Sequence, residues 1–226
     1  MQFALASLAH SSSFSFVSPG AFAFTVRCEP LIAPLSIVIA DVVSIISGVT
    51  QGTGAMTVAR GYPAMTAIPG RGALIAGGIG VLGTSQILAT AERLDEDGTP
   101  LSQELSMGSP RVHLSAVFME GPNGENQVAT AGGASSFDVS DAKRQVERWD
   151  GSQFLPYQPL LIARAGLASA PLLDGTALLT GGFSLEPFGT GVIAKVSDSS
   201  ERLDTDEPQP YDLVTGMRPH WGHTAT

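Results

Sequence analysis

One cysteine, Cys28, is all the chain offers toward a disulfide, and a lone thiol closes no loop within its own chain. Scaffolds stapled by disulfides are thereby excluded. Lysine is nearly as scarce: Lys143 and Lys195 are the only two among the 12 basic residues, no basic block occurs, and the net charge is −9. Neutralising phosphates takes clustered Lys or Arg, so nucleic acid and anionic membrane surfaces are poor partners for this chain. Long apolar runs are missing too. The most apolar stretch, LIAPLSIVIADVVSIIS (31–47), is broken by Pro34 and Asp41, and it is shorter than the ~20 residues of a membrane-spanning helix. Its β-branched density reads as one or two strands. Nor does any window carry apolar residues at helical spacing.

Turn-forming residues, by contrast, abound. Glycine and proline together account for 41 of 226 residues, about 18% against the roughly 12% of average usage. With 43% hydrophobic and 15% charged residues, the chain has enough apolar content to build a core under a thin charged surface. Residues 1–30, apolar and rich in Ser and Ala, read as a leader-like or disordered start that lacks the usual positive charge before Arg27. Residues 31–56 read as a β-rich segment holding remnants of a repeat unit.

The repeat itself occupies residues 57–226. A double glycine closes three apolar runs: ALIAGG at Gly77-Gly78, QVATAGG at Gly132-Gly133 and ALLTGG at Gly181-Gly182. An E-x-x-D element follows each: Glu92 with Asp95, Glu147 with Asp150, Glu201 with Asp204. An arginine precedes each, Arg60, Arg111 and Arg164, and Arg218 is taken to start a fourth round. The arginines are 51, 53 and 54 residues apart, and the second glycine stands 14, 14 and 19 residues before the Glu. Three independent markers in one order, three times, mark a true repeat.

Each unit reads as short strands separated by turns, with Asp174-Gly175 as the strongest hairpin signal. A late strand carries an aromatic in the second and third units, Phe154 and Tyr211. The expected fold class is all-β, with four antiparallel strands per unit of about 50 residues. One such sheet cannot bury both faces alone, so copies must pack on one another.

The double glycine after an apolar strand, the E-x-x-D element and the preceding arginine resemble the Kelch repeat of β-propellers, in its bacterial, galactose-oxidase-like version. The resemblance covers residues 57–226 and implies units at about 57–107, 108–160 and 161–215, with a partial unit at 216–226. It implies about three full propeller blades plus the start of a fourth, and hence a fragment or truncated form of a longer propeller. Unpaired blade edges would then invite self-association. The oxidase chemistry of that group is not implied. It needs a Tyr–Cys crosslink and metal ligands, whereas Cys28 lies outside the repeats and the tyrosines are only Tyr62, Tyr157 and Tyr211.

Residues that occur once per unit read as fold chemistry rather than as a site. The three glutamates look like hydrogen-bond acceptors or arginine partners within their own units, not a cation-binding ring. The arginines, placed at the start of each first strand near one rim, pair with them. His220 and His223 are three apart and would point to opposite strand faces, and His113 and His220 each follow a repeat arginine by two positions. The acidic clusters at 94–98 and 203–208 lack EF-hand spacing. No catalytic, metal or cofactor residues are assigned.

The expected role is a non-catalytic binding scaffold presenting its loops, at 79–90, 119–126, 134–143 and 183–198, to a protein or carbohydrate partner. Phe183 and Phe188 are the candidate contacts. The alternatives are a propeller portion of a larger secreted oxidase or hydrolase, and a truncated product without activity. Low lysine content and the acidic balance favour an extracellular or cell-envelope location.

Overall fold

A computed structural model describes residues 11–15, 23–28, 40–46, 49–80, 86–96, 98–121, 123–136, 141–189, 191–204, 211–216, 218–222 and 225; before Met56 it describes backbone only. Every regular element among these residues is a strand, and all pairing between strands is antiparallel. No helix among them is long and apolar enough to cross a membrane.

The strands form four sheets of four. In the first sheet β1 (Ser11–Ser15), β2 (Ala23–Cys28), β3 (Ala40–Ile46) and β4 (Val49–Ala55) pair in chain order. The second holds β5 (Ala64–Ile68), β6 (Gly72–Ala76), β7 (Thr90–Leu94) and β8 (Pro100–Ser106). The third holds β9 (Ser115–Glu120), β10 (Asn126–Ala131), β11 (Val146–Trp149) and β12 (Phe154–Tyr157). The fourth begins with β13 (Ala168–Pro171) and β14 (Ala177–Thr180). A separate hairpin of β15 (Phe183–Phe188) and β16 (Gly191–Val196) then intervenes before β17 (Ser200–Leu203) and β18 (Tyr211–Val214) complete it.

Two boundaries differ from the sequence expectation. The first sheet draws two strands from residues 1–30, read above as leader-like or disordered: SSSFS pairs with AFTVRC, and AFTVRC with β3. Residues 183–198, read as an irregular loop, instead form the β15–β16 hairpin, in which Phe183 pairs Val196 and Phe188 pairs Gly191. Gly189, with φ +59°, turns the chain there, so Pro187 and the glycines bound strands rather than a loop.

Neighbouring sheets share cores. Ile68, Leu74 and Ala91 of the second sheet pack with Leu114, Val128 and Trp149 of the third. Val117, Ala129 and Val146 of the third pack with Leu179 and Leu203 of the fourth. Because each inner sheet is covered on both faces, β6 and β10 are buried along continuous runs rather than at alternate residues, with four consecutive buried residues in β6. Polar cross-links tie the sheets at defined points: Phe118 N donates to Thr66 Oγ1 at 3.2 Å, and the Ser115 and Ser169 hydroxyls are 2.6 Å apart.

The double glycine is where one unit is joined to the next. The N–H of its second residue donates to a carbonyl of the following unit: Gly78 to Arg111 at 2.8 Å, Gly133 to Arg164 at 2.9 Å. The first glycine lies against the same carbonyl, and the second against its own unit's backbone, where a Cβ would stand 2.6 Å from Gly61 O or 2.8 Å from Val112 O. Both have positive φ, at +65° and +96° in the second sheet and +63° and +90° in the third. A side chain is thus refused twice, by backbone angle and by space. Gly132→Ala is expected to destabilise by about 2 kcal/mol or more, whereas Gly189→Ala, also at positive φ but with open space around it, costs about 1 kcal/mol. Urea unfolding of the two variants checks the difference.

Candidate functional site

The repeat arginines are consumed by the fold. Arg60, Arg111 and Arg164 are fully buried, in the segment before each first strand. The structure brings each together with its unit's glutamate: Arg60 with Glu92 at 2.9 Å, Arg111 with Glu147, and Arg164 with Glu201 at 2.6 Å. Other guanidinium N–H groups go to backbone carbonyls and to the hydroxyls of Thr90, Thr130, Ser197 and Ser199. Arg60 donates to Gly77 and Thr90, Arg111 to Gly132 and Gln145, and Arg164 to Gly181 and Ser199.

The carboxylates meanwhile hold the chain arriving from the preceding sheet. Glu92 accepts from Thr57 N and Val58 N, Glu147 from Gly108 N, and Glu201 from Leu161 N and Ile162 N. Burial pushes all three arginine pKa values below the ordinary value, against the pull of the glutamates. With every carboxylate bonded inside its own unit, these glutamates make no open ring toward a ligand.

The fourth round needs a correction. Gly182 N, the equivalent of Gly78 N and Gly133 N, donates to His220 O at 2.9 Å, and His220 N approaches Ser197 O at 3.4 Å as Arg164 N approaches Lys143 O at 3.1 Å. His220, not Arg218, therefore occupies the arginine position, and Arg218 is exposed. The imidazole Nε2 lies 3.2 Å from Thr180 Oγ1. The aspartates of the E-x-x-D elements sit at the strand ends: Asp95 accepts from Thr99 N at 2.7 Å, Asp150 accepts from Ser152 N and Gln153 N, and the Asp204 carbonyl accepts from the Tyr157 hydroxyl.

The double glycines, the residues after each repeat arginine and the hairpin lie at one end of the sheets, the loop end. The tight turns at 69–71, 95–99, 121–125, 150–153 and 172–175 lie at the other, the turn end. Two positions after each arginine, at the loop end, the backbone is left-handed: Tyr62 at φ +51°, His113 at +55°, Gly166 at +63°, and Gly222 at +62° two positions after His220. Their amides chain together, Gly166 N to His113 O and Gly222 N to Gly166 O. Tyr and His in that region store strain, and their rings meet at 5.1 Å between centroids.

Phe183, for which the sequence left an exposed anchor and a ring packed under its loop equally open, packs with Ala134 and Ala165 and meets Trp221 edge-on at 5.4 Å. Its backbone bridge to Ala165 holds it inward. Phe188 lies in β15, and its side chain is outside the described residues. Exposed aromatic surface at this end comes from Tyr62, 39% exposed, and Trp221, 61% exposed. Tyr62 stands two places after a repeat arginine, a place that takes Tyr, His or Gly alike, and Trp221 stands one place after His220.

A second set escaped the sequence reading. An arginine follows each repeat glutamate, at Arg93, Arg148 and Arg202, and stays near the surface. Arg93 lies over the Trp149 ring at 5.2 Å, Arg148 over Tyr157 at 5.5 Å, and Arg202 donates to Asp174 at 2.9 Å. The motif is E-R-x-D rather than E-x-x-D.

No group of three or more His, Cys, Asp or Glu among the described residues is arranged to hold a metal ion. His223, and much of the acidic cluster at 203–208, fall outside the described residues. No family model matches the chain, and no curated protein matches it.

Two outcomes test this arrangement. Arg111→Met and Glu147→Leu should each destabilise by about 3–5 kcal/mol because the partner is left charged and buried. The double variant should lose less than the two single losses combined, as a double-mutant cycle in urea would measure. The second outcome concerns Asp141. Burial opposes its ionisation, but Lys143, Ser135 and Ser136 together bring its pKa from 3.8 down to about 2. A depressed carboxylate adds stability above its ordinary pKa and loses it as pH falls through the folded value. Hydrogen-exchange protection of the Ser135 amide, which donates to Asp141 at 3.0 Å, should fall between pH about 4 and about 2. Asp141→Asn should flatten that dependence.

Proposed function

We propose that the chain is a set of Kelch-type β-propeller blades acting as a non-catalytic binding scaffold, with its partner held at the loop end. One observation carries this reading. The arginines and glutamates of the repeat are buried and mutually bonded, while the exposed rings of Tyr62 and Trp221 stand at the end where the hairpin and the longer connections emerge. Aromatic side chains with one wet face are the usual anchors of recognition surfaces, and they lose little conformational entropy on binding. Strained left-handed backbone at Tyr62 and His113 is a further mark of a working surface.

A carbohydrate or protein partner of an extracellular or envelope setting suits a chain with two lysines and net charge −9. Binding to arrays of immobilised glycans and of extracellular proteins tests the reading. A specific ligand is expected, with Tyr62→Ala and Trp221→Ala each weakening it by about tenfold or more. Leu173→Ala, a fully exposed residue of the turn end, should leave it unchanged. A partner indifferent to both aromatic variants would remove the loop end as the site. Retention of nothing by either array would remove the scaffold reading.

A further inference from the structure

The surface arginines Arg93, Arg148 and Arg202 occupy one position in three sheets, so the residues facing them can be compared directly. Register fixes the comparison: Leu74 pairs Arg93, Ala129 pairs Arg148 and Leu178 pairs Arg202. Four residues before each of these partners stand Gly70, Glu125 and Asp174. In the fourth sheet Asp174 forms an ion pair with Arg202 at 2.9 Å. In the third, Glu125 is held by Asn123, whose N and Nδ2 donate to it at 3.1 and 3.0 Å, and the charge of Arg148 acts on it only weakly. In the second the carboxylate is missing, Gly70 stands in its place, and Arg71 follows it.

The consequence is a cleft of about 470 Å³ lined by Gly70, Arg71, Arg93, Asp95 and Glu96. Two guanidiniums border it, and among the described residues neither has a carboxylate within ion-pair distance. Arg93 is held from behind by the buried Trp149 ring at 5.2 Å, and its Nε–H is buried with no acceptor. Its one hydrogen bond, to Arg71 O, is long at 3.4 Å. Arg71 reaches across toward the β11–β12 turn, where a Cβ on Gly151 would stand 3.8 Å from its Nη1. Burial, and after it the charge of Arg71, depress the Arg93 pKa. Two like charges repel even though Asp95 and Glu96 also line the cleft, and planar guanidiniums favour a carboxylate that can accept two bonds at once. Asp95 is engaged with its own turn through Thr99 N. Glu96, exposed at the rim, can accept hydrogen bonds from donors beside that carboxylate.

We propose that this cleft binds a small molecule carrying a carboxylate flanked by hydroxyl or ammonium donors, with Arg71 and Arg93 taking the carboxylate where the fourth sheet supplies Asp174 to Arg202. The site lies at the turn end, opposite the loop surface, and stands or falls independently of it.

The experiment is an NMR titration of the full chain, following the arginine Nε–H signals at constant ionic strength. The probes are D-glucuronate, L-alanine and neutral D-glucose. The decisive variant is Gly70→Asp, which restores the carboxylate of the other units. Asp is tolerated at the φ of +67° there, and a Cβ would come no closer than 3.9 Å to Glu96 Oε1. Gly70→Asn supplies the same shape without the charge. Saturable displacement of the Arg93 signal by glucuronate or alanine, and not by glucose, is expected. Gly70→Asp should weaken it by about tenfold or more while Gly70→Asn weakens it less. Response to glucuronate alone assigns hydroxyl donors to the ligand, and response to alanine alone assigns an ammonium. No saturable shift with either, an equal response to glucose, or undiminished binding by Gly70→Asp would overturn the proposal.

Discussion

A buried arginine paired with a buried glutamate is the element on which each unit depends. Burying either charge alone would be costly, and the pair is tolerated because each charge meets the other and most of its remaining groups are bonded. In the second sheet the guanidinium of Arg60 bonds the carbonyls of Gly77 and Thr90 as well as Glu92, and the carboxylate takes the amides of Thr57 and Val58. Those groups come from the incoming chain, the end of β6 and the start of β7. One ion pair therefore fixes where the chain enters a sheet and where two of its strands meet. The ion pair and the bonds to the double-glycine carbonyl recur around Arg111 and Arg164 with different side chains beside them, Thr130 in one case and Ser197 with Ser199 in the other.

Once that corner is fixed, the glycine pair can sit against the next unit's backbone, and the apolar strands between can be buried on both faces. Specialisation is then left to residues the scaffold does not need. At the loop end these are the left-handed positions occupied by Tyr62, His113 or Gly166. At the turn end they are the residues opposite Arg93, Arg148 and Arg202, where one unit has lost its acid. Both surfaces vary among units while the buried polar set does not.

The all-β class and the order of markers were legible in the sequence because they are periodic. Gly77-Gly78, Glu92 and Arg60 recur at spacings that survive inserted loops. The pairing of Arg with Glu was weighed there too, since both occur once per unit. What escaped was set by contacts without a local signature. The β15–β16 hairpin was hidden by Pro187 and two glycines, which mark a turn between strands as readily as an open loop. Phe183 stayed open between anchor and packed ring because nothing in its neighbourhood announces the backbone bridge to Ala165 that turns it inward. Of the two strands within residues 1–30, β2 pairs with β3, a partner more than ten residues away in sequence, and β1 pairs with β2.

His220 in the arginine position shows which part of that residue its neighbours read. Gly182 needs a carbonyl oxygen at this place, and it receives one from histidine as well as Gly133 does from Arg164. The side chain anchors a unit to itself, while the peptide group anchors it to the unit before. Aligning units on arginine alone slips the fourth by two residues, onto Arg218. Side chains in a strand alternate with a period of two, so such a slip leaves every inward and outward position apparently correct. Hydrophobic patterning is blind to this kind of error, and only the carbonyl that the glycine amide finds reveals the true register.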